Sequence, residues 1–180
     1  MNIDELGFEA NKKVQTGEQG PITETVIKIA EDIPNDENQL VQKVSQYVKS
    51  LTSVDTKEPN FSRNADQIIE SGEQRGCHEA GLVFITLLRA KGRENTTYIQ
   101  AFKKSDLRDY DLKNGGNVGG HAFIRTKEGI VDSTSGKITQ DIPEDYILGA
   151  EGLDSWDIGI KKGLDDYMQL FLKIKHENKF

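Results

Sequence analysis

The stretch Ala80 to Ala90, AGLVFITLLRA, breaks its run of apolar side chains only at Thr86 and Arg89. A surface helix carries one apolar stripe, whereas a helix that is apolar almost all round has to be covered on most sides. The rest of the chain must therefore supply elements that wrap this one. Its 180 residues suffice for one domain with a substantial core and are too few for two. Immediately upstream stand Gly76 and the only cysteine, Cys77, so the thiol falls in the first turn of the buried helix.

The wrapping elements follow from periodicity. Pro21 to Ile33 spaces Ile22, Val26, Ile29 and Ile33 along one helical face. Leu40 to Leu51 does the same with Leu40, Val41, Val44, Tyr47, Val48 and Leu51, after Asn and Asp capping candidates. A short helix is expected over Ala65 to Ser71. Thr96 to Phe102 is β-branched and aromatic and reads as a strand. HAFIRT and GIVDST read as two more strands, joined in a hairpin at Lys127 and Glu128. Between the first strand and this hairpin, KSDLRDYDLKNGGNVGG is polar and closes on four glycines, which predicts a mobile loop. A last helix, Leu164 to His176, aligns Leu164, Tyr167, Met168, Phe171 and Leu172. The order predicts an α+β domain over residues 21–180: N-terminal helices and a buried central helix packed on an antiparallel β-sheet, then a closing C-terminal helix. Residues 1–20 are expected to form a flexible arm.

Charge narrows the partners. With 23 basic against 30 acidic side chains, net −7, the chain lacks the cationic surplus of a nucleic-acid binder and is a poor match for an anionic membrane. Neither nucleic acid nor membrane is expected as a partner, and the oligomeric state is left open. No run nears the roughly 20 apolar residues of a membrane-spanning helix, and the N-terminus does not read as a signal peptide. A single cysteine forms no internal disulfide, which suits a reducing compartment. The expectation is a cytoplasmic protein, with secretion after loss of a leader still compatible.

Three residues stand where chemistry would want them. At a helix N-terminus the unpaired N–H groups favour a thiolate, and Arg75 adds positive charge nearby. A thiolate is a nucleophile, and the same N–H groups can receive an oxyanion. His121 opens a strand straight after the glycines of GGNVGG, where the backbone can approach closely. Asp132 ends the apolar arm GIVD, where an unpaired carboxylate would be costly. Hairpin pairing puts Asp132 opposite or diagonal to the start of the first arm, within reach of His121. Each residue also has an ordinary use: Cys77 as a small buried side chain, His121 as an exposed strand end, Asp132 as the opening of a turn with Ser133 and Thr134. Together they supply nucleophile, base and orienter.

RGCHEAGLVFITLLRAKG followed by GGHAFIRTKEGIVDSTSG resembles the core of the transglutaminase-like superfamily, the papain-like cysteine protease fold. The match runs from about Ala65 to Gly136. Its blocks are Cys77, Glu79, Ala80 and Leu87 to Gly92; then His121, Ala122 and Phe123; then Asp132 and Thr134. Gly76 adjoins Cys77 directly where the family commonly has an intervening residue, and Phe123 replaces a more usual tryptophan. The resemblance implies a Cys77, His121 and Asp132 catalytic triad acting through an acyl-enzyme on amide or peptide substrates, resolved by water or by an amine. It implies an oxyanion or substrate-binding set drawn from Gln74, Asn64, Gly76, His78, Gly120 and Phe123, with Asn64 or Gln74 as side-chain donor. An arylamine N-acetyltransferase-like activity and a non-catalytic binding module on the same fold are the alternatives.

No cofactor or metal is expected. Cys77, His78, His121 and Asp132 lack the several thiols or paired histidines of usual zinc sites, and DLRDYDLK lacks the spacing of a calcium loop.

Overall fold

The computed structural model describes residues 14–37, 39–55, 61–161 and 163–179. Along them run helices α1 (Glu24–Asp32) and α2 (Leu40–Ser50), strand β1 (Thr52–Ser53), helix α3 (Ala65–Ser71), strand β2 (Glu73–Gln74) and helix α4 (Cys77–Ala90). Strand β3 (Thr97–Lys103), helix α5 (Lys104–Asp109), and strands β4 (Gly120–Thr126), β5 (Gly129–Asp132), β6 (Ile138–Thr139) and β7 (Tyr146–Gly152) follow, before the closing helix α6 (Leu164–Glu177).

Helix α4 is buried from His78 through Ala90. On one side it packs against Tyr98, Ala122, Ile124 and Val131 of the sheet, and on the others against Val26, Val44, Val48 and Ile68 of α1, α2 and α3. At roughly 1.5–3 kcal/mol for each large apolar side chain taken from water, this cluster is the main source of stability. The two polar interruptions are both accommodated. The Thr86 hydroxyl donates to Leu82 O at 2.8 Å. The Arg89 guanidinium donates to Thr96 O at 2.7 Å and Leu153 O at 2.8 Å. Burial pulls its pKa down to about 10, against the opposing pull of Asp154 and Asp157.

The main sheet is antiparallel, in the order β6-β5-β4-β3-β7. Its α4 side extends past that helix to Phe102, where Tyr167, Phe171 and Ile174 of α6 and Leu107 of α5 form a second cluster. Ile99, Ala101, Phe123 and Ile130 form a third, covered by Ile142 and Tyr146. Strands β1 and β2 make a small parallel ribbon that leads the chain into α4.

The expected meander of three strands is thus five. In β7, YILGAEG is half-exposed along most of its length, so it lacks a hydrophobic alternation; backbone pairing with β3 holds it. The polar segment expected as a mobile loop begins as helix α5. Leu107 is fully buried there, and the Asp106 carboxylate accepts the Gly119 N–H at 2.6 Å. Of the expected N-terminal arm, residues 1–13 lie outside the described residues. Its end is tied down: Gln19 donates from its backbone to Asp154 Oδ2 (2.9 Å) and from its side chain to Phe61 O (3.1 Å) and Arg63 O (2.9 Å). No helix among the described residues is long and apolar enough to cross a membrane.

Candidate active site

Cys77 is the first residue of α4, and its N-cap is Gly76. Gly76 has φ +83°, a left-handed backbone that an L side chain resists, and it brings no side chain to cap the helix. The leading turn of α4 is therefore left open at the thiol. The turn before it is held from below. Buried Glu79 accepts from Arg63 through both oxygens, Nε at 2.8 Å and Nη2, and from the Arg75 backbone N–H at 2.7 Å. This ties Arg75–Gly76–Cys77 to the start of the helix.

The hairpin supplies the other two groups. Phe123 pairs with Asp132 in the β4–β5 register, and His121, two residues before Phe123, shares its face. The diagonal reach expected from the sequence is what the strands form. Nε2 of His121 lies 3.1 Å from Oδ1 of Asp132. That nitrogen makes no hydrogen bond, so the contact works as a charge pair. The Cys77 sulfur is close enough to the imidazole to favour its charged form. The Ser133 hydroxyl stitches helix to hairpin, its proton shared between Cys77 O at 3.1 Å and Ala122 O at 2.9 Å.

The electrostatics follow from this placement. Burial alone would lower the His121 pKa, but the Asp132 carboxylate and the Cys77 sulfur raise it to about 9. Burial alone would raise the Asp132 pKa. His121, the Ser135 N–H (3.0 Å) and the Thr134 hydroxyl (2.8 Å) instead hold it well below the usual carboxylate range. Burial pushes the Tyr167 phenol further above its ordinary value, reinforced by the Cys77 sulfur.

Cys77 opens on a cleft of about 550 Å³ between the start of α4 and α6, with Gly120 and Gln100 on its floor. Of the candidate binding set, Gly76, His78 and Gly120 line it. His78 packs its ring on Phe61 with centroids 4.3 Å apart. Gly120 has no room for a side chain: a Cβ there would sit 2.1 Å from the Tyr167 hydroxyl oxygen. A larger hollow of about 670 Å³, lined by Lys91, Arg93, Arg125 and Glu128, lies at the other end of α4, away from the thiol.

Three expected members of the binding set are elsewhere. Asn64 is the N-cap of α3, its side chain accepting the Gln67 N–H at 2.9 Å while the Gln67 side chain accepts the Asn64 N–H at 3.0 Å. That reciprocal capping box engages its carbonyl oxygen. Gln74 belongs to β2 and is not part of the cleft wall. Phe123 is buried, edge-on against His121 at 4.7 Å, and supports the imidazole; Tyr146 of β7 flanks the same ring. Among the cleft-lining residues missed from the sequence are Phe61, Gln100, Leu164 and Tyr167. Gln100 carried a signal, as the one amide inside the otherwise apolar YIQAF.

A helix that begins on a thiol, packed on an antiparallel sheet whose hairpin bears a histidine and a carboxylate, is the α+β, papain-like fold expected from the sequence. Two solved structures share it. A candidate cysteine protease from Cytophaga hutchinsonii matches with a TM-score of 0.57 and 14% identity, over 81% of this chain and 47% of its own. Legionella pneumophila LapG matches with a TM-score of 0.50 and 15% identity, over 83% of each chain. The chain thus spans about half the length of the first of them. No family model matches it, and no curated protein matches it by sequence. At these identities the likeness is one of fold, and function has to be argued from the site.

Proposed function

We propose that this protein is a thiol-dependent acyl-transfer enzyme acting on amide or peptide substrates. The observation that carries the reading is the His121 imidazole, 3.1 Å from the Asp132 carboxylate and under the influence of the Cys77 sulfur, which opens on a cleft. In this reading Cys77 Sγ, its proton passed to His121, attacks the substrate carbonyl carbon. The oxygen takes up the negative charge and meets the open N–H groups at the start of α4. His121 returns the proton to the leaving amine as the C–N bond breaks, which leaves a thioester on Cys77. Water or a second amine, deprotonated by His121, then releases the acyl group. Asp132 fixes the ring and stabilises the imidazolium.

The test uses iodoacetamide labelling at pH 6 together with turnover of a mixed library of fluorogenic peptide amides. The wild type should label at Cys77 and cut part of the library. Cys77→Ala should abolish both, His121→Ala should slow both by at least about a hundredfold, and Asp132→Asn should fall between. Equal labelling of wild type and His121→Ala, with no peptide cut, would refute the assignment.

A further inference from the structure

We infer that Arg75 is a carboxylate-recognising residue and that the cleft takes acyl groups with an acidic side chain close to the scissile carbonyl. The inference rests on the thiol-enzyme reading above and adds the substrate class to it. Of the six arginines in the chain, five meet acceptors. Arg63 pairs with Glu79, Arg93 with Glu128, Arg108 with Asp109 and Arg125 with Glu151. Arg89 is bound by two carbonyls. Arg75 differs: its Nε is buried and has no hydrogen-bond partner.

A guanidinium presents its donors in a fixed fork that fits a carboxylate, and a buried donor left unmade is costly. Arg75 stands on the wall of the cleft that holds Cys77, two residues away in sequence. Its backbone is anchored, because the Arg75 N–H is bonded to Glu79. The backbone that carries the fork is thus held by the same contact that holds the turn before Cys77. Asp55, also on the cleft wall, is exposed and leaves the Arg75 Nε unpaired. A carboxylate brought by the substrate would complete Arg75. A neutral or cationic residue there would leave the donor buried and unmade, so the site discriminates by penalty as well as by attraction.

The experiment compares iodoacetate with iodoacetamide at Cys77. The two reagents share size and chemistry, a C–S bond forming as iodide leaves, and differ in the carboxylate. Arg75→Gln should lower the ratio of iodoacetate to iodoacetamide rates by about tenfold, the size of one charge-assisted hydrogen bond, and Arg75→Lys should retain an intermediate ratio. A Glu-containing peptide amide against its Gln counterpart should show the same fall in the ratio of kcat/KM. If both alkylation rates drop together and the ratio holds, Arg75 acts only on the thiol and the carboxylate site is refuted, while the thiol-enzyme reading stands. If neither reagent labels Cys77 and no peptide is cut, that reading falls and takes the inference with it.

Discussion

Replacing Glu79 by glutamine asks how much the anchor beneath Cys77 contributes. The carboxylate is 1% exposed and takes three donors, two from Arg63 and one from the Arg75 backbone. Glutamine keeps one acceptor oxygen and turns an NH₂ toward groups that are themselves donors. Removing one member of a buried ion pair costs about 3–5 kcal/mol; the surviving oxygen brings the expected loss to about 3 kcal/mol. In urea, with a slope of about 1–3 kcal/mol/M, the unfolding midpoint should fall by about 1 M or more. Labelling of Cys77 should slow in parallel, since the Arg75–Gly76 turn loses its tether. Arg63→Met combined with Glu79→Leu should recover most of the stability, because an apolar pair of similar volume can replace a buried ion pair, but should not recover the labelling. A midpoint shift in Glu79→Gln below about 0.2 M, or a double variant no more stable than the single one, would refute the reasoning.

Gly120→Ala should cost about 1–3 kcal/mol. Its methyl would meet the Tyr167 hydroxyl oxygen at 2.1 Å and Ala101 O at 2.8 Å, so thermal denaturation should show a lower Tm, partly restored by adding Tyr167→Phe. An unchanged Tm would mean that α6 yields freely. The raised His121 pKa carries a definite sign. Its contribution to stability is complete below the ordinary value of 6.5 and is lost as the pH rises through about 9. Asp132 works the other way, contributing above the usual carboxylate range and fading as the pH falls through its depressed value. Urea midpoints between pH 6 and 10 should decline in the wild type and stay flatter in His121→Ala; parallel curves would contradict the coupling.

What was legible in the sequence was whatever depended on neighbours along the chain. Cys77 at the head of an apolar run and the two-residue turn between HAFIRT and GIVD are local patterns. Register then carries His121 and Asp132 to one face without further information. The walls of the cleft depend on which distant elements dock there. Tyr167 reads as one more apolar position of the last helix, and Phe61 stands in no periodic run. Strand β7 was hidden because a strand held mainly by its backbone need not alternate. Asn64 shows the opposite failure, since Asn64 and Gln67 are spaced as a capping box and that local signal outweighs a role in the cleft. Leu107 is the one apolar residue of KSDLRD, too little to announce a helix, yet its burial is what pins α5.

The stitch made by Ser133 between Cys77 O and Ala122 O bears on when the protein becomes reactive. The helix and the hairpin are far apart in sequence, and pairings of that kind form late because the intervening chain must first be closed. A collapsed chain with its helices formed but its side chains not yet locked would hold the thiol without its imidazole. On the proposed function, nucleophilic power would then arrive last in folding, and an immature chain would carry no weapon against itself or its neighbours.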